Sequence, residues 1–396
     1  MTTGILFVEN YLAGGSDQIA RILLQKLPFK KLTIMVNRAN DNSILLAGQL
    51  PDHVVVQFYN LITIPEMLSL FKCRRKNWLC KILVGIVHLL RYPYFLFSIF
   101  YFLSKILKIK APIFIVNNGG YPGGDFCRSA SIAASLVPGM KVFHIVHSVA
   151  TSPKSLTIPI EWIIDYIIDC RCQIITICRA SADSLKNRRW ISQDVTVIYN
   201  GLEKADTYKF LKKEKNFNII NVGYFDYNKN QALLIVALAE LVKKGYKNIH
   251  VYFLGNETEN FQAKCRLLAK ELKVSNQIHF EGFVVDPLKW YQISDLFVLC
   301  SFNEGFPLSI IEAMRSGLPV ITTGVGGVCE LVDDGVSGYI VPCGDETCLA
   351  NKIEALLLDE EMRSRFGNAG KNLFVKKFTV DRMISEYIRV LSINTH

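Results

Sequence analysis

At 396 residues, 50% of them hydrophobic and 20% charged, the chain can bury two sizeable cores, which excludes a disordered or fibrous protein. Its 11 cysteines show no CxxC pair and no regular spacing, which argues against a disulfide framework and fits a reducing, cytoplasmic setting. The net charge of +10 sits in the N-terminal half: residues 1–205 hold 23 Lys and Arg against 12 Asp and Glu, and a polyanionic surface is the natural partner of such an excess.

In chain order, "MTTGILFVEN" predicts a first β-strand, since its apolar run is short and lacks the basic leader of a cleavable signal. Gly14 and Gly15 follow it and precede "SDQIARILLQKL", an amphipathic helix expected to be capped by Ser16. Amides of these glycines could close over a diphosphate from one side. "KLTIMVN", "HVVVQF", "PIFIVNN", "KVFHIVH", "CQIITIC" and "VTVIYNG" predict further strands, and their alternation with helical patterns indicates a parallel sheet covered on both faces. His147 closes one of these strands, His144 reads as core, and the loop "NNGGYPGGDF" is expected to line an acceptor side.

No acidic residue occurs between Glu66 and Asp125, an interval holding Lys72, Arg74, Arg75, Lys76, Lys81, Arg91, Lys105, Lys108 and Lys110. The stretch "WLCKILVGIVHLLRYPYFLFSIFYFLSKILKIK" mixes these charges with Trp78, Tyr92, Tyr94, Phe95 and Phe97. That composition excludes nucleic acid as the partner and suits an anionic membrane surface. His88, Arg91 and Pro93 interrupt the run, so the expected arrangement near residues 72–110 is a dipping or surface-lying pair of helices; a buried core pair and a spanning helix are the alternatives.

The polar, Lys-rich stretch "YNGLEKADTYKFLKKEKN" predicts a domain boundary near Asp206. A second β-α series follows it, with strands at "FNIINVG", "IHVYFLGN", "QIHFEGF", "LFVLC", "PVITT" and "GYIVP". The expected fold is α/β: two doubly wound Rossmann-like domains, residues 1–205 and 206–375, facing across a cleft. A last helix within 376–396 is expected to pack back onto the first domain. Ligands bind such sheets at the C-terminal ends of their strands.

In "SFNEGFPLSIIEAMRSG", Leu296–Cys300 predicts a buried strand and Pro307 the first turn of a helix that Gly317 caps. Glu304 then precedes the helix, Glu312 lies in its second turn, and Gly305 allows a ligand close approach. Amides of Phe306, Leu308 and Ser309 at the helix start suit a phosphate. Two glutamates would repel that phosphate, so their partners are hydroxyl groups on either side of it. A diphosphate flanked by a ribose and a hexose has this layout.

The segment "EGFPLSIIEAMRSGLPVITTGVGGVCELVDDGVSGYIVPCGD" resembles the E-x7-E region of family 4 of the retaining glycosyltransferases, which have the GT-B fold. "NVGYFDYNKNQALLIVALAEL" and "VYFLGN" extend the likeness through the C-terminal half. "NYLAGGSDQIA", "VFHIVHS" and "VIYNGL" are islands of it in the N-terminal half. The resemblance implies that Glu312 bonds the ribose hydroxyls, that Glu304 approaches the donor sugar, and that the amides around Gly305, Phe306, Pro307, Leu308 and Ser309 surround sugar and phosphates. It also implies that His147 lies near the transferred sugar and Lys229 on the diphosphate.

The family usually places an arginine where this chain has Tyr224, so one cation is missing and turnover is affected more than binding. Gly326 and Gly327 read as turn residues facing sugar or phosphate, with Glu330 opening a helix. The chain contains no DxD and no His, Cys or Asp cluster at metal spacing, so no metal and no cofactor are expected beyond a UDP- or GDP-sugar substrate. The expected function is a retaining glycosyltransferase, peripheral on the inner face of the cell membrane, that moves a hexose to a lipid-linked saccharide of a surface polysaccharide. A non-catalytic nucleotide-sugar-binding membrane partner and a GT-B nucleotide-sugar 2-epimerase are the alternatives.

Overall fold

The computed structural model describes residues 2–9, 14–38, 50–72, 78–204, 216–257 and 260–393. Residues 10–13 of the first glycine-bearing loop, Arg74, Arg75 and Lys76, and the polar boundary around Asp206 lie outside the described residues, as do the side chains of Lys72, Trp78 and Lys81. The chain forms two compact units, one of Met1–Ile198 with Ile384–His396 and one of Tyr199–Met383. The second therefore starts before the polar stretch near Asp206. The Tyr199 ring stacks on Phe306 at 5.3 Å and meets Phe378 edge-on at 5.7 Å, and its hydroxyl donates to Glu330 Oε2 at 2.9 Å.

The first unit runs β1 (Thr3–Val8), α1 (Gly15–Lys26), β2 (Lys31–Asn37), β3 (Val54–Tyr59), α2 (Ile64–Lys72), α3 (Trp78–Ile106) and β4 (Ile113–Asn118). It continues with α4 (Asp125–Ser135), β5 (Lys141–Val146), α5 (Ile158–Arg171), β6 (Gln173–Thr176), α6 (Arg179–Arg188) and β7 (Thr196–Val197). Its seven strands are all parallel, in the order β3-β2-β1-β4-β5-β6-β7. β1 and β4 bury nearly every residue, as strands with helices on both faces must.

The second unit runs β8 (Phe217–Val222), α7 (Gln231–Lys243), β9 (Ile249–Leu254), α8 (Phe261–Glu271), β10 (Ile278–Gly282), α9 (Leu288–Ile293) and β11 (Leu296–Leu299). Then come α10 (Leu308–Arg315), β12 (Val320–Thr323), β13 (Gly338–Val341), α11 (Glu346–Leu358) and α12 (Glu360–Lys377). α13 (Val380–Leu391) starts here and ends in the first unit. The strand order is β10-β9-β8-β11-β12-β13, again all parallel. Each order reverses beside its first strand, between β1 and β4 and between β8 and β11. A crevice forms outside the strand ends at such a reversal. Gly14, Gly15 and Gly119 stand at the first, Gly223 and the Ser301–Pro307 loop at the second.

Three expectations change. α3 is one 29-residue helix running through Pro93, not a pair. Proline costs only the bond to the Leu89 carbonyl, and Leu89 is 76% exposed. Ile82–Ile106 is long and apolar enough to cross a membrane by length and composition. Yet Phe95, Ile99, Phe102 and Ile106 are buried in the first unit's core, where Phe102 meets Phe7 at 5.0 Å and Tyr59 at 5.2 Å. Burying each such side chain stabilises by ~1.5–3 kcal/mol. Second, Ser16 is not a cap: α1 starts at Gly15, and the Asp17 carboxylate accepts from the Gly14 amide at 3.2 Å instead. Third, Glu330 ends a short 3₁₀ turn, Gly326–Glu330, and opens no helix.

Candidate functional site

In the second unit the site is built on two loops, one after β8 and one after β11. The Lys229 amide donates to Asp226 Oδ1 at 2.7 Å, and Asn230 takes a left-handed conformation, φ 48°, that asparagine tolerates. The Phe302 amide donates to the Asn228 carbonyl at 2.7 Å, and Asn228 Nδ2 to the Asn303 carbonyl at 2.9 Å. These bonds tie the loops together. Their consequence is at the side chains: Lys229 Nζ meets Glu304 Oε1 at 2.5 Å, and Ser301 Oγ donates to the same oxygen at 2.6 Å. The pair is largely but not fully enclosed, with Lys229 20% and Glu304 9% exposed. An ammonium has three donors, so Lys229 can hold Glu304 and still donate to an anion.

Past this pair the backbone turns at Pro307 into α10. The helix closes at Gly317, φ 74°, whose amide bonds the Met314 carbonyl while that of Leu318 bonds Ala313. Leu308 and Ser309 stand in the first turn, where amides have no acceptor in a preceding turn. Phe306 is 4% exposed, with its ring packed on Tyr199.

Glu312 follows one turn later. The Tyr291 hydroxyl of α9 donates to its Oε2 at 2.8 Å and also approaches the Ser309 carbonyl at 3.2 Å. Burial raises the Glu312 carboxyl above its usual range, against the opposing pull of Tyr291 and Arg315. Tyr291 went unforeseen. It sits in a six-residue helix whose apolar pattern marks a core position, and nothing local ties it to a glutamate 21 residues away.

An apolar cavity of about 130 Å³ opens at the ends of β8 and β9, lined by Gly223, Tyr224, Gly255, Phe283, Val284 and Pro287. Gly255 has φ 149°, and a Cβ there would fall 2.0 Å from the Gly223 carbonyl oxygen, so glycine is required. Tyr224, which stands where an arginine was expected, lines this cavity.

In the first unit, His147 Nε2 lies 2.7 Å from Asn117 Oδ1, and Asn117 Nδ2 donates to the Ser16 carbonyl at 3.2 Å. The second bond fixes which end of the amide faces the ring, so Nε2 carries the proton and Nδ1 the lone pair. Nδ1 is buried without a partner. Burial pulls the ring down to about 4, so it is neutral at pH 7. His144 is core, held by Asn118 and Ser131. The Gly14 amide is already engaged by Asp17, whose carboxyl burial raises to about 6 against the pull of that bond. Glu9, also unforeseen, accepts from the Cys127 amide at 3.0 Å at the start of α4.

The structure thus brings Lys229, Glu304 and Ser301 together in one cluster and sets Glu312 in a second, on Tyr291. Gly14, Gly15 and His147 belong to the other unit. Paired parallel sheets with these strand orders define the GT-B class of fold. HepE of Anabaena in complex with UDP is similar over 98% of this chain and 99% of its own, with a TM-score of 0.76 at 17% identity.

Residues 203–373, within the second unit, match the family model Glycosyl transferases group 1. The capsular polysaccharide biosynthesis glycosyltransferase CapM of Staphylococcus aureus is 35% identical over 165 residues, 41% of this chain and 43% of CapM. A Campylobacter jejuni alpha-1,4-N-acetyl-D-galactosaminyltransferase named for a diNAcBac-PP-undecaprenol acceptor is 27% identical over 54% of this chain and 58% of its own. The chain spans about half the length of the curated relatives it matches.

Proposed function

We propose that this protein is a retaining glycosyltransferase that moves a hexose from a nucleotide-sugar, UDP- or GDP-linked, to a lipid-linked saccharide in surface-polysaccharide synthesis. The observation that carries the reading is the Lys229–Glu304–Ser301 cluster beside the α10 N-terminus. It supplies one cation and backbone donors for a diphosphate, and a carboxylate for sugar hydroxyls. Glu312, oriented by Tyr291, accepts from the ribose, and the apolar cavity at Tyr224 takes the flat face of the base.

In the step itself the bond from sugar C1 to the phosphate oxygen breaks, and a bond from C1 to the acceptor oxygen forms on the same face. The acceptor proton passes to the departing phosphate oxygen, so no separate base is required. Lys229 and the helix-start amides stabilise the charge building on that diphosphate. The relatives' names, CapM and the undecaprenol-linked transferase, support the acceptor class. The basic aromatic helix α3 supports peripheral attachment to the inner membrane face.

The test is incubation with UDP- and GDP-hexoses and an undecaprenyl-diphosphate saccharide, reading nucleoside diphosphate release and the anomeric proton of the product by NMR. Retained configuration supports the reading. A donor that shifts the melting temperature yet is never turned over by any acceptor would make the protein a nucleotide-sugar binder, an outcome the missing cation at Tyr224 would then explain.

A further inference from the structure

α5 turns two acids inward, beside the buried Ile164 and Ile168, and presents other apolar side chains outward. Glu161 and Asp165, four residues apart on one face, are buried, while Trp162, Ile163 and Tyr166 on the other are 46%, 50% and 55% exposed. Two arginines hold the acids in. Arg128, fully buried on α4, donates to Glu161 at 2.7 Å and to Asp125 at 2.8 Å. Arg189 donates to Asp165 at 2.7 Å and to Glu161 at 2.5 Å. Burial alone would raise the Glu161 carboxyl, but the guanidiniums outweigh it and hold it below its usual range. Rotating α5 to hide Trp162 would strand this network, and buried charges without partners are costly. The outward stripe is imposed by the inward one.

α3 belongs to the same layer. Arg91 grips both Asp125 oxygens at 2.8 and 2.9 Å, and the Tyr92 hydroxyl donates to Glu161 Oε1 at 3.2 Å. The neighbouring Leu89 and Leu90 are 76% and 54% exposed, and Leu156, just before α5, is 97% exposed. Both helices pack on α4 and are joined to each other by the Tyr92–Glu161 bond, and exposed apolar side chains on such a layer mark a surface that something covers.

We propose that α3 and α5 form one docking face for an anionic lipid bilayer, with Trp162, Ile163 and Tyr166 seated at the boundary between headgroups and acyl chains. This deepens, and rests on, the membrane-associated reading above. Charge selects the bilayer over a second copy of the chain. Residues 67–124 contain no acid, the acids of α5 are turned inward or, for Asp169, bonded to Ser192 and Gln193, and Lys108, Lys110, Lys154 and Arg171 remain exposed. Two such faces would oppose like charges, whereas anionic lipid complements them. Tryptophan and tyrosine are also the residues that settle at a membrane–water boundary.

The experiment is flotation of the full chain with vesicles of phosphatidylethanolamine containing one-third phosphatidylglycerol, at 100 mM salt, comparing wild type with Trp162→Ser/Tyr166→Ser and with Leu89→Ser/Leu90→Ser. Melting temperatures and sedimentation velocity are recorded for each. The expected result is a monomer that binds, a loss of at least tenfold in affinity for both double variants, and unchanged melting and UDP-sugar thermal shift. A wild type that ignores vesicles overturns the membrane reading and this inference with it. Binding that survives Trp162→Ser/Tyr166→Ser but not Leu89→Ser/Leu90→Ser leaves α3 as the sole anchor and overturns the role of α5. A dimer dissolved by the α5 variant assigns the face to a second copy and overturns the bilayer.

Discussion

Lys229 does two jobs that a single substitution separates. Its ammonium neutralises Glu304 in the resting site and would face a leaving diphosphate in the reaction. Lys229→Met keeps the side-chain length and removes the charge. With Tyr224 in place of an arginine, no second side-chain cation from that loop compensates, so kcat should fall about 10²- to 10³-fold while donor KM rises less. Steady-state kinetics decide it; a raised KM at unchanged kcat would place Lys229 in ground-state binding only.

Glu312 tests the other cluster. Charged hydrogen bonds contribute roughly 1.5–3 kcal/mol, so Glu312→Gln should weaken donor use ~10- to 100-fold. Tyr291→Phe, which frees the carboxylate without removing it, should cost less than Glu312→Gln; calorimetric titration with donor ranks the two. The histidines give a pH dependence. Burial lowers His147 to about 4 and His144 to about 3, below the ordinary 6.5. The unfolded chain then takes up protons first, so their contribution is full above about 6.5 and is lost as pH falls toward 4. Asp17, raised to about 6, acts oppositely: its contribution is present below about 4 and lost as pH rises toward 6. His147→Gln, which preserves the donor to Asn117, should flatten the acid limb of urea midpoints measured between pH 7 and 4.5.

At the scale of elements, α3 shows what a pattern can and cannot reveal. Its composition marks a basic, aromatic, membrane-suited stretch, but it is hydrophobic all round, so periodicity cannot say which half packs. The fold divides it: Phe95, Ile99 and Phe102 face the core and Phe97 and Phe100 face out. Phe102→Ala should therefore destabilise by about 3–5 kcal/mol, whereas Phe97→Ser should stay within about 0.5 kcal/mol. Urea unfolding of the pair checks the assignment, and equal losses would refute it. Both sheets were legible because their strands are short apolar runs bounded by turns, and the Glu304–Glu312 spacing was legible because both lie within one loop and helix. Tyr291, Glu9 and the acids of α5 were not. Each acts through a partner far along the chain, as Arg189 does on Asp165, and a single sequence carries no signal for such pairs. "IPIEWIIDYIID" reads as apolar helix with scattered acids until the arginines show which side is in.

For the whole molecule, charge placement gives a prediction of its own. The basic excess of residues 1–205 is a long-range field, and its action on an anionic bilayer should weaken as salt shortens the Debye length from ~10 Å at 0.1 M to ~3 Å at 1 M. The exposed apolar side chains of α3 and α5 act by surface removal from water, which salt does not screen. Raising NaCl from 50 to 500 mM should therefore cut vesicle affinity at least tenfold yet leave a residual that vanishes only when Trp162 and Tyr166 are also removed. Residues 206–396 hold 22 Lys and Arg against 23 Asp and Glu, so no comparable field acts from that half. Donor affinity should then change with salt only through the local pairing of Lys229 with diphosphate, by a few-fold over the same range. Parallel titrations of vesicle binding and UDP-sugar binding against NaCl compare the two slopes. A donor slope as steep as the vesicle slope would mean that the basic stretch serves the nucleotide and not the membrane.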